Sequence, residues 1–286
     1  MTEARSDAAV LLALAAVWGG SFLFIRVAAP AFGPLPLVAL RVGLAACALL
    51  PLLLWRGQLA AWRAHWRRIA VAGFFLMAFP FCLISWAQLS LSAGMASILN
   101  ATTPLMTALW AVPLAGEKLT RRRAAGLSLG LAGVLALLLG KGAGFSLQAG
   151  LPVLAMLLAT ASYGWAGQMT RRWLGGVPPL VCAAGGLATC GALMLPLAVW
   201  QWPADMPGAL PWGAVLALAL LCTAAAYLAF YRLIERLGAT RASSVTYLVP
   251  IFGVLWGCLL LGETLNAGML LGGGLILAGV VLLHRP

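Results

Sequence analysis

The chain has 286 residues, of which 63% are apolar and only 8% are charged. Soluble domains run at about 45–50% and about 25%, so a soluble globule is excluded and the bilayer is the solvent, as the mean hydropathy of +1.02 also indicates. The net charge of +12 would suit nucleic acid only if the basic residues formed one exposed face. Instead they sit in short gaps between apolar runs, the pattern of a membrane protein.

A helix crosses the hydrocarbon core with about 20 apolar residues. Ten stretches qualify: 8–28, 34–55, 69–90, 94–115, 124–140, 150–171, 178–200, 211–234, 242–262 and 267–284. In the first, Val27-Ala28-Ala29 loosely fits a signal-cleavage site, but Arg26 interrupts its apolar end, so the segment is expected to stay as a span. Trp18, Ser21 and Ile25 share a face there, and Arg26 is expected to snorkel to the headgroups. Arg41, in the second span, is expected to make a structural contact to a carbonyl; the alternative use of these two arginines is that one of them attracts a substrate carboxylate. The third span aligns Phe81, Ser85, Gln88 and Ser92. The fourth aligns Ser97, Asn100, Thr103, Thr107 and Trp110 at helical steps. The sixth offers Thr160, Tyr163, Gly164, Gly167 and Gln168. The eighth offers Thr223, Tyr227 and Tyr231, and the ninth Ser243, Thr246, Tyr247 and Pro250. The fifth and tenth carry ridges of small residues, Gly126, Gly130 and Gly133, and Gly268, Gly272, Gly273, Gly274 and Gly279. Such ridges serve close helix packing, or alternatively a homodimer contact. Trp55, Trp62, Trp66, Trp173, Trp200, Trp202 and Trp212 fall near span ends as interfacial belts.

With the N-terminus inside, Arg5, Arg56, Arg63, Arg67, Arg68, Lys118, Arg121, Arg122, Arg123, Arg171, Arg172, Arg232, Arg236, Arg241 and Arg285 are cytoplasmic. That is 15 of the 18 Lys and Arg residues, against Lys141 outside. Both termini are therefore expected in the cytoplasm.

The sequence also repeats itself. Ala96-Ser97 matches Ala242-Ser243, Pro104 matches Pro250, Trp110 matches Trp256, and Gly116-Glu117 matches Gly262-Glu263. Leu119, Gly126 and Gly133 match Leu265, Gly272 and Gly279. Gly19 matches Gly164, and Arg26 matches Arg171. Halves 1–142 and 143–286 would each hold five spans. An odd number inserts the second half upside down, the inverted repeat common in secondary transporters. The expected fold is an all-α integral membrane protein, ten transmembrane helices in two inverted five-helix repeats around a central cavity.

The run Ala16-Val17-Trp18-Gly19-Gly20-Ser21-Phe22, the Ala39-Leu40-Arg41 of the second span, and the Pro104 to Gly116-Glu117 segment with its repeat resemble EamA-type transporters of the drug/metabolite transporter superfamily. The resemblance implies a ten-helix basket in the inner membrane that exports amino acids or other small metabolites.

Polar side chains in a membrane face a cavity or a partner. The expected substrate-lining set is Trp18, Ser21, Phe81, Ser85, Gln88, Asn100, Thr103, Thr107, Trp110, Tyr163, Gln168, Tyr227 and Tyr247, with Pro104 and Pro250 as hinges. The competing use is local: hydroxyls bonded to their own helix, and aromatics filling space. Carboxylates occur only at Glu3, Asp7, Glu117, Asp205, Glu235 and Glu263, in termini, loops or span ends, which weakens proton-coupled export of cations. Glu117 and Glu263, each after a glycine, are expected to satisfy backbone donors. The two histidines, His65 and His284, lie away from any mid-membrane serine. Catalysis, metal binding and cofactors are therefore not expected. The six cysteines are read as buried apolar residues; Cys182 and Cys190 are about 12 Å apart along one helix, too far for a disulfide. The expected partners are a small-molecule substrate and the lipid bilayer, and no nucleic acid. The reading is a secondary exporter of small amphipathic metabolites, most simply amino acids. The alternative is a carrier for drug-like cations or for lipid-linked or nucleotide sugars.

Overall fold

The computed structural model describes residues 2–139, 147–238, 242 and 244–284. Lys141, Arg241, Ser243, Arg285 and the boundary at 142 and 143 lie outside the described residues. No strand occurs among those described. The helices are α1 (Thr2–Phe32), α2 (Pro34–Trp55), α3 (Leu59–Ala87), α4 (Ala93–Ala115), α5 (Arg121–Leu139), α6 (Leu147–Trp173) and α7 (Pro179–Trp200), followed by α8 (209–237), α9 (Val245–Leu261) and α10 (Ala267–His284). The first eight contain segments long and apolar enough to cross a membrane; α9 and α10 are apolar and shorter.

Local chemistry sets the boundaries. Pro34 and Pro179 open α2 and α7, where a missing N–H costs nothing. Ser92 caps α4, its hydroxyl accepting from the Met95 N–H at 3.1 Å. Gly116 and Gly262 end α4 and α9 in the left-handed region, at φ of 68° and 66°, where only glycine sits without strain. One expectation fails at α3, which starts ten residues before the anticipated span. Leu59 to Arg68 lies in a gap between the expected spans, yet Arg, Ala and Leu are good helix formers and a solvated charge does not end a helix. Trp62, expected in the interfacial belt, packs inward instead, close against Gly185 of α7.

Two helices contain π-helical turns, Phe74–Ala78 in α3 and Ala217–Ala225 in α8. These stretches correspond under the repeat offset. Pro104 does not kink a continuous helix. Rather, α4 breaks into Ala93–Asn100 and Thr103–Ala115, and Pro104 stands in the first turn of the second piece. Pro250 lies inside the unbroken α9.

The packing is reciprocal. Helices α5 and α10 pack along each other, as do α2 and α7; α1 packs on α9 while α6 packs on α4. The details match as well. The Trp110 indole donates to the Ala161 carbonyl and the Trp256 indole to the Ala16 carbonyl, both at 2.9 Å. Gly19 lies against Phe252 and Gly253, and Gly164 against Met106 and Thr107. The glycine ridges are used within the chain: Gly126 faces Gly279, and Gly133 faces Gly272, backbone to backbone. All six cysteines are free. Contrary to expectation only Cys190 and Cys222 are fully buried, and Cys47 is exposed, because the outward face of a membrane helix is as apolar as its core.

Candidate functional site

The interior where α2, α3, α6 and α8 meet brings polar and aromatic side chains together. The π-helical turn of α8 turns the Thr223 hydroxyl to bond the Leu218 carbonyl at 2.7 Å. That hydroxyl also accepts from Arg41 Nε at 3.0 Å. The Arg41 guanidinium carbon lies 3.7 Å over the Phe81 ring, a cation–π stack. The residue is 6% exposed. Arg41 therefore meets a side-chain hydroxyl and a ring, not the carbonyl expected of it. Tyr163, Cys222 and Tyr227 are the titratable groups close enough to act on its charge. Tyr227 stacks on Tyr231 at 6.0 Å and 14°.

The three tyrosines are partly buried. Their hydroxyls have no protein partner among the described residues.

The other candidates divide by what they touch. Phe81, Ser85, Ser21 and Gln168 are buried, and Trp18 stacks obliquely on Phe230 at 5.1 Å. Gln88 is fully buried and donates to the Phe22 carbonyl at 2.9 Å, tying α3 to α1. Gln168 donates to the Thr107 carbonyl at 3.2 Å and accepts from Arg171, tying α6 to α4. Thr103 and Thr107 bond carbonyls of their own helix, Asn100 and Thr103, at 2.7 and 2.9 Å. Trp110 is committed to α6 through its indole. Asn100 stands at the break in α4, its Oδ1 buried and unpartnered. Tyr247 is partly buried in α9. Thus Phe81, Tyr163 and Tyr227 are brought together, whereas Gln88, Gln168 and Trp110 are spent on contacts between helices. Arg26 does not snorkel: its Nη1 donates to the carbonyls of Gln88 and Leu89 at 2.5 and 3.0 Å, closing the end of α3. Sequence reasoning passed over the Arg41–Thr223 contact, since these residues are 182 positions apart. The signal available was a lone arginine in an apolar span.

No group of three or more metal-ligating side chains occurs among the described residues. Long apolar helices packed around buried polar side chains define a multi-pass membrane protein. The chain belongs to the EamA-like transporter family, whose profile matches residues 7–139 and 150–285. It is 30% identical over 278 residues to the uncharacterized inner membrane transporter YedA of Escherichia coli K12, covering 95% of this chain and 88% of that one. It is 28% identical over 272 residues to a probable terminal-alkyne amino-acid exporter of Streptantibioticus cattleyicolor, covering 94% and 90%. It is also 28% identical over 290 residues to the S-adenosylmethionine/S-adenosylhomocysteine transporter of Chlamydia muridarum, covering 94% and 88%. A solved crystal structure at 22% identity shares the fold, with a TM-score of 0.70 over 98% of this chain and 96% of the other. The family is one of transporters, not enzymes.

Proposed function

We propose that the chain is a secondary transporter that exports small amphipathic metabolites, amino acids first among them, by alternating access. Two five-helix halves, inverted relative to each other, cross the inner membrane ten times with both termini in the cytoplasm. The exchanged packing of α1 on α9 and α6 on α4 supports a twofold relation between halves. At about 1.5 Å per residue, the 17 residues of α9 reach about 25 Å, enough for most of a hydrocarbon core of about 30 Å. The relative named as an amino-acid exporter supports the substrate class.

The observation that carries the reading is the partly buried cluster of Tyr163, Tyr227 and Tyr231, whose hydroxyls have no protein partner among the described residues. Phenol rings give a substrate apolar area and a cation-attracting face, and their hydroxyls orient it. The combined variant Tyr163→Phe, Tyr227→Phe and Tyr231→Phe keeps the rings and removes the hydroxyls. In proteoliposomes screened with radiolabelled amino acids, with and without a pH gradient, it is expected to lower the transport rate at least tenfold. Its melting temperature should stay within a few degrees of the parent. An unchanged rate sinks the site.

Alternation needs bends that change. Helix α4 is broken before Pro104 and α9 is continuous through Pro250, so the matched prolines stand in two different states. We assign both as hinges. Pro250→Ala restores a backbone bond in α9 and is expected to slow transport several-fold while leaving thermal stability equal or higher. A parallel loss of rate and of folded protein would mark Pro250 as a packing residue only.

A further inference from the structure

We propose that Arg41 is the anion-binding group of the interior and takes the carboxylate of the transported molecule. The inference rests on the transport reading above and narrows it to substrates that carry an acid group.

A buried guanidinium cannot shed its charge, so it must be paired. Arg41 is 6% exposed. The ion pairs among the described residues are Arg123–Glu117 and Arg236–Asp7, both elsewhere. The groups facing Arg41 are the Thr223 hydroxyl, the Phe81 ring, Tyr163, Tyr227 and Cys222, none of them a carboxylate. The contrast with Arg26 is direct. That arginine also sits inside a span and is satisfied by two backbone carbonyls at a helix end, as a structural arginine should be. Among the described residues only the Nε of Arg41 finds a protein acceptor; Nη1 and Nη2 have none and are not fully enclosed.

The orientation fits an anion. Phe81 covers one face of the guanidinium and Thr223 holds the Nε edge. The Nη1–Nη2 edge is left for the two parallel bonds that a carboxylate accepts. Packing alone does not call for the charge. Helix α7, which packs along α2, has no charged residue between Pro179 and Trp200. The rings of Tyr163 and Tyr227 beside Arg41, with Tyr231 stacked on Tyr227, would accept the remainder of an amphipathic acid.

The test is thermal stabilisation of the purified full chain by the twenty proteinogenic amino acids, by leucinamide and phenylalaninamide, and by 4-methylpentanoate and 3-phenylpropanoate. Chloride at the same ionic strength is the control. One or more amino acids should raise Tm by several degrees, the amides should not, and Arg41→Gln should weaken the effect at least tenfold. Should Arg41→Gln fail to fold, Arg41→Lys carries the test: it keeps the charge, loses the fork, and should retain the preference for acid over amide with weaker binding. Stabilisation by the acids that lack an amine, without any amino acid, upholds the anion site and overturns the amino-acid reading. Amides binding as well as acids, a full effect from chloride, an unaltered response in Arg41→Gln, or no stabilisation by any carboxylate overturns the assignment.

Discussion

Gly133→Leu in α5 is expected to abolish recovery of folded protein from detergent extracts. A Cβ at this position would lie 2.6 Å from the Gly272 carbonyl oxygen and 2.8 Å from Ile276 Cγ1 of α10. The first obstacle is backbone, which cannot rotate aside, so the two helices would have to separate. The contact is reciprocal, because a Cβ on Gly272 would lie 2.7 Å from the Gly133 carbonyl. Gly126 and Gly279 repeat it further along. In lipid no hydrophobic force drives helices together, and close van der Waals approach between small residues does that work. Overpacking of this kind costs about 1–3 kcal/mol for a single methyl group, and leucine adds three further carbons. Gly133→Ala should therefore lower the melting temperature by several degrees, while Gly133→Leu should yield aggregate on size exclusion. Gly274→Ala is the internal control. It lies on the same α10, but nothing would come within 4 Å of its Cβ; stability should hold or rise slightly, since alanine is the better helix former. Equal behaviour of Gly133→Ala and Gly274→Ala would show that the ridge carries no packing.

How much of this was legible follows from which interactions are local. Span positions were readable because hydropathy and turn chemistry act within twenty residues: α2 matches its anticipated bounds, and α7 differs by one residue. The glycine ridge was readable as a packing device, but its partner was not. A stripe of small residues looks the same whether it meets another helix of its own chain or a second copy, and here it meets α10. The polar stripes show the same division. Helical periodicity put Gln88, Asn100, Thr107 and Tyr163 on inward faces, and they are on inward faces. It could not say whether an inward face is used up on a neighbouring backbone, as Gln88 meets Phe22, or keeps a hydroxyl without a partner among the described residues, as Tyr163 does. Charges were misread for a related reason. Arg26 near a span end suggests snorkelling, but its Nη1 reaches the carbonyls that end α3, and unsatisfied helix ends attract cations. The break in α4 at Ala101 and Thr102 was signalled by Pro104, since the turn before a proline tends to leave the helical region. The equivalent proline in α9 shows that this signal permits a break without forcing one.

The second large effect is expected at Glu263. Its Oε1 accepts from the Ala93 N–H at 2.6 Å and its Oε2 from the Gly94 N–H at 2.9 Å. Those amides open α4, where the first-turn donors have no partner inside the helix and the dipole favours a negative charge. Ser92 serves the next donor. One carboxylate thus joins the α9–α10 connection to the start of a helix 170 residues away. The expectation that Glu263 satisfies backbone donors holds, but across the fold and not within its own turn. Glu117, its counterpart after Gly116, instead pairs with Arg123 at 2.7 Å, where both side chains are about a third exposed. Hydrogen bonds to a charged group in a partly buried site contribute about 1.5–3 kcal/mol, whereas exposed pairs contribute about 0–1 kcal/mol. Glu263→Ala should therefore destabilise by about 2–4 kcal/mol on the same scale, with two helix-end donors left unmet. Glu263→Gln keeps one acceptor oxygen without the charge and should lose about half as much. Glu117→Ala should fall within about 1 kcal/mol of the parent. Thermal unfolding of the three purified variants separates these ranks. Equal losses at 117 and 263 would mean that the repeat symmetry, and not the contact to α4, decides what this carboxylate contributes.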